Sequence, residues 1–293
     1  MYVATLLTNP NTPKLEQALV EALCNAWGGD DLVWLSEDEA AQFTFPELPD
    51  NQWDVWAELQ LLEVDLIVQP FGKRRKLMLL ADMDSTMIQQ ECIDELADEA
   101  GVGDRVKDIT ARAMNGELDF EGALIERVGL LKGLDEAVID KVLNERITLM
   151  PGGKELVATM RLNGGYAALV SGGFTAFTAR VAELLGFDEN RANKLLAEGG
   201  RLTGDVQHPI LGKQAKVDAL AQITKRLGLS EADVMAVGDG ANDLGMLSRA
   251  GTGVALHAKP SVAAKCDIRI NYGDLTALLF LQGYSRDEFV EQE

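Results

Sequence analysis

Two aspartates one residue apart, Asp82 and Asp84 in Ala81-Asp82-Met83-Asp84-Ser85-Thr86, follow directly on a short apolar run that begins after Lys76. Such a run, bounded by basic residues on one side and a polar turn on the other, reads as a buried parallel strand. Both carboxylates therefore leave the sheet at its carboxyl end, where open α/β sheets bind ligands. Adjacent acids facing a crevice repel each other unless a cation sits between them, and a hard, oxygen-seeking metal suits the pair. The same residues also suit an acidic strand-to-helix turn capped by Ser85 or Thr86.

Three further stretches bear on the chemistry. In Ala168-Leu169-Val170-Ser171-Gly172-Gly173-Phe174 a strand ends in a hydroxyl, two glycines and a helix start, whose bared N–H groups suit a phosphate; ordinary turn chemistry fits it as well. Lys213 and Lys216 stand in the first turn of a helix with the apolar stripe Val217, Leu220, Ala221, Thr224, Leu227. Cations there oppose the macrodipole, which makes sense if one of them faces an anion. Finally, Val234–Val237 runs into Gly238-Asp239-Gly240-Ala241-Asn242-Asp243, a second strand end bearing carboxylates. It superficially resembles a dinucleotide fingerprint, but Asp243 replaces the third glycine and would repel a pyrophosphate. Carboxylates from two strand ends, a lysine and a Ser-Gly turn make a phosphoryl-transfer site around a divalent cation. Other phosphate chemistries are excluded. No Walker-type loop is present, and none of Cys24, Cys92 and Cys266 is followed six positions later by arginine. With only His208 and His257 there is little scope for histidine catalysis.

These residues need elements to hold them. From Lys76 onward, apolar strands (also 166–170, 253–256 and 268–271) alternate with helical stretches (153–163, 174–186, 213–227, 241–249), which means a parallel, helix-covered, Rossmann-like sheet of the α/β class. Residues 87–150 break the alternation: helical patterns without a convincing strand read as a small helical cap inserted above the D-x-D turn. Residues 1–72 read as a separate small α+β domain with strands at 2–7, 32–35 and 64–69, a helix over 15–27, and a proline-containing connection around Phe45–Pro49. Small-molecule binding as an ACT-like unit, pairing into a homodimer, and a structural role all stay open for it. The remainder, 73–293, is then the catalytic core with its insertion.

A net charge of −20 argues against a nucleic-acid partner, and the basic run Lys73-Arg74-Arg75-Lys76 reads as a solvated linker. The scattered cysteines give no disulfide framework, no apolar run approaches membrane-spanning length, and the first residues lack a signal-peptide pattern. A cytoplasmic protein with no membrane partner is expected.

D-x-D-S-T, then S-G-G, then a lysine, then G-D-G-x-N-D, in this order over residues 82–243, resembles the haloacid dehalogenase (HAD) superfamily of phosphotransferases. Within it, Glu91 in Ile88–Leu96, the stretch Ala113–Phe120 (Met114, Gly116) and Glu126-Arg127-Val128 resemble the phosphoserine phosphatase family. Met83 stands where many superfamily members carry Phe. The resemblance implies Mg²⁺-dependent hydrolysis of O-phospho-L-serine, the last step of serine synthesis. Asp82 would be the nucleophile and Asp84 the general acid and base. The metal would be held by Asp82, the Asp84 main-chain carbonyl and Asp239, with Asp243 close by. Ser171, Gly172, Lys216 and Asn242 would bind the phosphoryl group.

Arg127 carries its own argument. With Phe120, Leu124 and Leu131 it lies on an apolar helix stripe, where a guanidinium either snorkels outward or meets a fork-matching carboxylate. Glu91 would complement an ammonium group, and Met114 and Phe120 would exclude water on cap closure. The alternatives are a HAD phosphatase for another small ester such as phosphohomoserine, or a non-catalytic amino-acid sensor.

Overall fold

The first strand of the chain ends up inside its sheet. In the computed structural model, which describes residues 1–114 and 117–290, β1 (Tyr2–Leu7) is followed by α1 (Gln17–Ala26), β2 (Asp30–Ser36), β3 (Ala40–Phe45), α2 (Gln52–Gln60) and β4 (Asp65–Pro70). β1 pairs antiparallel with β3 on one side and β4 on the other, giving the order β2-β3-β1-β4. β3 is thus inserted between the two strands that α1 connects, the split βαβ arrangement. The expected strands are present; β3 and α2 flank the proline-containing connection, and neither was expected.

A six-stranded sheet carries the rest of the chain. β5 (Met78–Ala81) leads into four helices, α3 (Cys92–Glu99), α4 (Gly103–Met114), α5 (Phe120–Gly129) and α6 (Ala137–Glu145). Then come α7 (Gly153–Leu162), β6 (Tyr166–Phe174), α8 (Thr175–Leu185) and β7 (Glu189–Asn193). β8 (Leu195–Glu198) and β9 (Arg201–Val206) form a hairpin, with Gly199 and Gly200 both at positive φ, as its two-residue turn requires. The chain closes with α9 (Lys213–Leu227), β10 (Val234–Gly238), α10 (Leu244–Arg249), β11 (Thr252–Leu256), α11 (Pro260–Ala263), β12 (Ile268–Ile270) and α12 (Ala277–Leu281). The strand order is β12-β11-β10-β5-β6-β7, with every pairing parallel.

Both faces of this sheet are buried, which explains its continuous apolar strands. Met78, Leu80, Ala168, Val170, Val234 and Ala236 enter one apolar cluster. Their neighbours Leu79, Ala81, Ala167, Leu169, Met235 and Val237 enter another, the period-two alternation of a strand. That second cluster also takes in Leu7, Leu35, Ala40 and Ile67 from the antiparallel sheet, so one apolar core runs between the two sheets.

β5 is where the order reverses. β6 and β7 extend from it in one direction and β10, β11 and β12 in the other, so the crevice at its carboxyl end is the topological switch point. One local expectation is corrected here. β6 continues through Ser171, Gly172 and Gly173 to Phe174, and α8 starts only at Thr175. The Ser-Gly-Gly stretch is therefore the end of a strand whose pairing with β7 shifts register after Val170, and not the first turn of a helix. Among the described residues, no helix is long and apolar enough to cross a membrane.

Candidate active site

β5 and β10 are neighbours in parallel register, so the residues just past their ends are brought side by side. Asp82 follows β5, Asp239 follows β10, and Asp243 is the N-cap residue of α10. One carboxylate oxygen from each lies within 4.8 Å of the other two, and all three residues are buried. Gly238 makes the close approach possible: a Cβ there would fall 2.4 Å from Asp243 Cγ.

The counter-charge comes from the lysine that looked misplaced in its helix. Lys216, 1 % exposed, puts Nζ 2.6 Å from Asp82 Oδ1 and 2.5 Å from Asp243 Oδ1. Burial alone would pull its pKa down, but the two carboxylates overcome this and hold the ammonium charged. Asp243 Oδ2 accepts the Gly240 N–H at 2.9 Å, fixing that turn. Asp82 Oδ1 also accepts the Met83 N–H at 2.8 Å. Oδ2 takes no hydrogen bond from the described residues. Burial, then Asp243, raises the Asp82 pKa well above the usual carboxylate range, against the pull of Lys216; burial and Asp243 raise Asp239 too. Among the described residues Lys216 is the one ammonium in contact with this cluster of three acids, with Lys259 acting on Asp239 from further off, and oxygen donors at this spacing suit a hard divalent cation.

Asp84 lies outside that cluster but near enough for its charge to act on Asp82. Its Oδ1 accepts the Cys92 N–H at 2.8 Å and its Oδ2 accepts the Ser171 hydroxyl at 3.1 Å, so the carboxylate joins the D-x-D turn to α3 and to β6. Gly173 N–H in turn donates to Ser171 Oγ at 2.8 Å. Ser85, at φ 55°, donates to Glu91 Oε1 at 2.9 Å and links the turn to the residue before α3. Glu91 keeps contact with solvent but is crowded by protein; burial and then Asp84 push its carboxyl up to about 7.

Arg127 on α5 is half-buried. Its Nε donates back to Ala123 O at 3.2 Å, and it forms no ion pair within 4.0 Å among the described residues. Burial lowers its pKa, and the nearby charges of Asp94, Glu91 and Asp84 act against that. Phe120, the first residue of α5, lies over the core: a Cβ at Gly172 would come 3.0 Å from its ring, and one at Gly212 3.2 Å. The structure therefore gathers Asp82, Asp84, Asp239, Asp243, Lys216, Ser171 and Gly172 at one crevice, with Glu91 and Arg127 on the helical side. Asn242 sits half-buried in the Gly238–Asp243 turn. The expectations for the Met114 side chain and Gly116 lie outside the described residues.

Two contacts escaped the sequence reading, which named Thr86 only as a cap and Asn193 not at all. Thr86, fully buried, donates through Oγ1 to Asp239 Oδ1 at 3.4 Å and ties the first strand end to the second. Asn193, the last residue of β7, donates from Nδ2 to Gly172 O at 2.8 Å and accepts the Leu211 N–H at 2.7 Å. It staples the Ser-Gly strand end to the loop that precedes α9 and Lys216.

With this geometry in hand, the chain matches the haloacid dehalogenase-like hydrolase family over residues 79–248. The chain belongs to that family. It is 44 % identical over 223 residues to the phosphoserine phosphatase of Archaeoglobus fulgidus, a match covering 75 % of this chain and 64 % of that protein. A HAD family hydrolase from Salmonella enterica serovar Typhi superposes with a TM-score of 0.86 at 32 % identity, covering 98 % of this chain and all of the other. A phosphoserine phosphatase solved as its phospho-aspartyl intermediate analogue superposes with a TM-score of 0.66 at 43 % identity, covering 70 % of this chain and 98 % of its own.

Proposed function

We propose that the protein is a Mg²⁺-dependent phosphoserine phosphatase, releasing L-serine and phosphate from O-phospho-L-serine as the last step of serine synthesis. The observation that carries this reading is a half-buried guanidinium, Arg127, that forms no ion pair among the described residues and has Glu91 and Asp84 near enough for their charges to act on it. An α-amino acid brings the carboxylate and ammonium that these two side chains lack as partners. A relative trapped as a phospho-aspartyl analogue supports Asp82 as the phosphoryl acceptor.

Mg²⁺ would be held by the carboxylates of Asp82 and Asp239 and the Asp84 main-chain carbonyl, with Asp243 adjacent. When bound, it would neutralise the acid cluster and draw charge from the phosphoryl oxygens. The chain's own residues do the rest. Asp82 Oδ2 forms the new P–O bond as the bond from phosphorus to the serine oxygen breaks. Asp84 delivers a proton to the departing oxygen, then takes one from the water that cleaves the acyl phosphate. Ser171 Oγ, the Gly172 N–H, Asn242 and Lys216 hold the phosphoryl oxygens. Helices between residues 87 and 150 serve as the cap, and residues 1–72 as an N-terminal unit that shares an apolar core with the rest. Three buried free cysteines suit a reducing, cytoplasmic setting.

The test is phosphate release from O-phosphoserine, phosphohomoserine and p-nitrophenyl phosphate, with Mg²⁺ and with EDTA. Phosphoserine should have the highest kcat/KM, EDTA should abolish turnover, and Asp82→Asn should lose at least about a thousandfold. Preference for another ester overturns the substrate assignment, and undiminished turnover by Asp82→Asn overturns the nucleophile.

A further inference from the structure

The basic run before β5 has no part in the catalytic site, yet it does not simply point into water. Lys73, Arg74, Lys76 and Lys265 all line a groove of about 780 Å³. Asp267 is the one acid on its walls. In a chain of net charge −20 this is a strong local reversal of sign. Among the described residues, Lys73, Arg74 and Lys265 form no ion pair within 4.0 Å. Arg74 donates to Gln42 at 2.8 Å and lies against Gly283, while Lys76 donates to Ala232 O at 2.8 Å; burial lowers the pKa of both. Asp233 lends Lys73 and Lys76 some counter-charge, but no acid among the described residues acts on Arg74, and a guanidinium held partly out of water in that way is an arrangement that an anion would relieve.

The groove is not another mouth of the catalytic crevice. Thr252 and Gly253 begin β11 and Ile268 begins β12, so it opens at the amino ends of the parallel strands, whereas Asp82 and Asp239 follow the carboxyl ends of β5 and β10. A guanidinium fork with several ammonium groups around it suits tetrahedral oxyanions, and the volume lies within the range of small-molecule sites. The geometry points to a second ligand site here, for a phosphate dianion either free or carried on a small metabolite.

Equilibrium dialysis of the full chain with radiolabelled inorganic phosphate tests it by difference. Wild type should bind one equivalent more than Arg74→Gln/Lys265→Gln, whatever the catalytic site binds, so failure here is separable from failure of the phosphatase reading. Because Arg74 packs against Gly283, Lys73→Gln/Lys265→Gln, which changes only exposed side chains, serves as the second variant and should weaken the extra site about tenfold. Displacement by AMP at concentrations below those at which phosphate itself competes identifies a phosphate-bearing metabolite, and the reverse order identifies free phosphate. Equal stoichiometry and affinity in wild type and the second variant overturns the site.

Discussion

Glu91 holds a carboxyl pushed up to about 7, first by burial and then by the Asp84 charge, so its ionisation falls in the range where enzymes are assayed. Ionised, it attracts a substrate ammonium; protonated, it does not. The ratio of kcat/KM for phosphoserine to that for p-nitrophenyl phosphate should therefore rise as pH increases through about 7, by up to about tenfold. Taking the ratio removes the titration that phosphomonoesters share. Glu91→Gln should flatten it, and a slope unchanged in that variant would exclude Glu91 as the titrating group. The stability effect has the opposite sense. A folded-state pKa raised above the unfolded 4.5 means that Glu91 favours the fold most at low pH and loses that contribution as pH rises to about 7, so Glu91→Gln should melt higher than wild type at alkaline pH. Arg127→Ala should cost phosphoserine turnover about a hundredfold through the lost carboxylate fork, with p-nitrophenyl phosphate little affected. Equal losses on both substrates would make Arg127 a structural residue. Lys216, Arg127 and the strand-end acids were legible in the sequence because their types conflicted with their positions: a cation in a first helical turn, an arginine on an apolar stripe, acids at strand ends. Glu91, an acid near a helix start, has no such conflict and was legible only through the family resemblance. Asn193 carried no such conflict. Its work is defined by Gly172 and Leu211, which only the fold brings to it.

The elements divide along similar lines. β5, β6 and β10 announced themselves as apolar runs because both sheet faces are covered. β7, Glu-Asn-Arg-Ala-Asn, is a polar edge strand whose Glu189 pairs with Arg191, so no hydrophobic pattern marks it. β3 was missed beside the prolines, and the extension of β6 was hidden because two glycines normally signal a turn. That extension matters to the cap. It lays Gly172 flat under the Phe120 ring, where an added Cβ would sit 3.0 Å away. Gly172→Ala should force the ring, and α5 with it, off the crevice and lower kcat about tenfold by admitting water. Global stability should change by no more than about 1 kcal/mol. Phe120→Ala in the Gly172→Ala background should cost little further activity, since both changes break one contact. Full additivity of the two losses would show that the ring and the glycine act separately.

Across the molecule, the antiparallel sheet is joined to the catalytic half by buried polar contacts as well as by the shared apolar core. Asp65, fully buried at the start of β4, accepts the N–H groups of Asn271, Tyr272 and Gly273, each at 2.9 Å, and Gln69 donates to Leu281 O at 2.8 Å. Burial still leaves the Asp65 pKa raised despite those three donors. Removing the carboxylate would strand three backbone donors at once, so Asp65→Ala should cost roughly 3 kcal/mol. The sequence supplies a probe of one side of this junction: all four tryptophans, Trp27, Trp34, Trp53 and Trp56, lie in the first 72 residues. Tryptophan fluorescence therefore follows the N-terminal sheet, while loss of phosphatase activity follows the crevice. In wild type the two denaturation curves should coincide, as a continuous core requires. In Asp65→Ala the fluorescence transition should shift to lower denaturant and separate from the loss of activity. Coincident curves at the wild-type midpoint in that variant would mean that the apolar contacts of Leu7, Leu35, Ala40 and Ile67 alone hold the halves together.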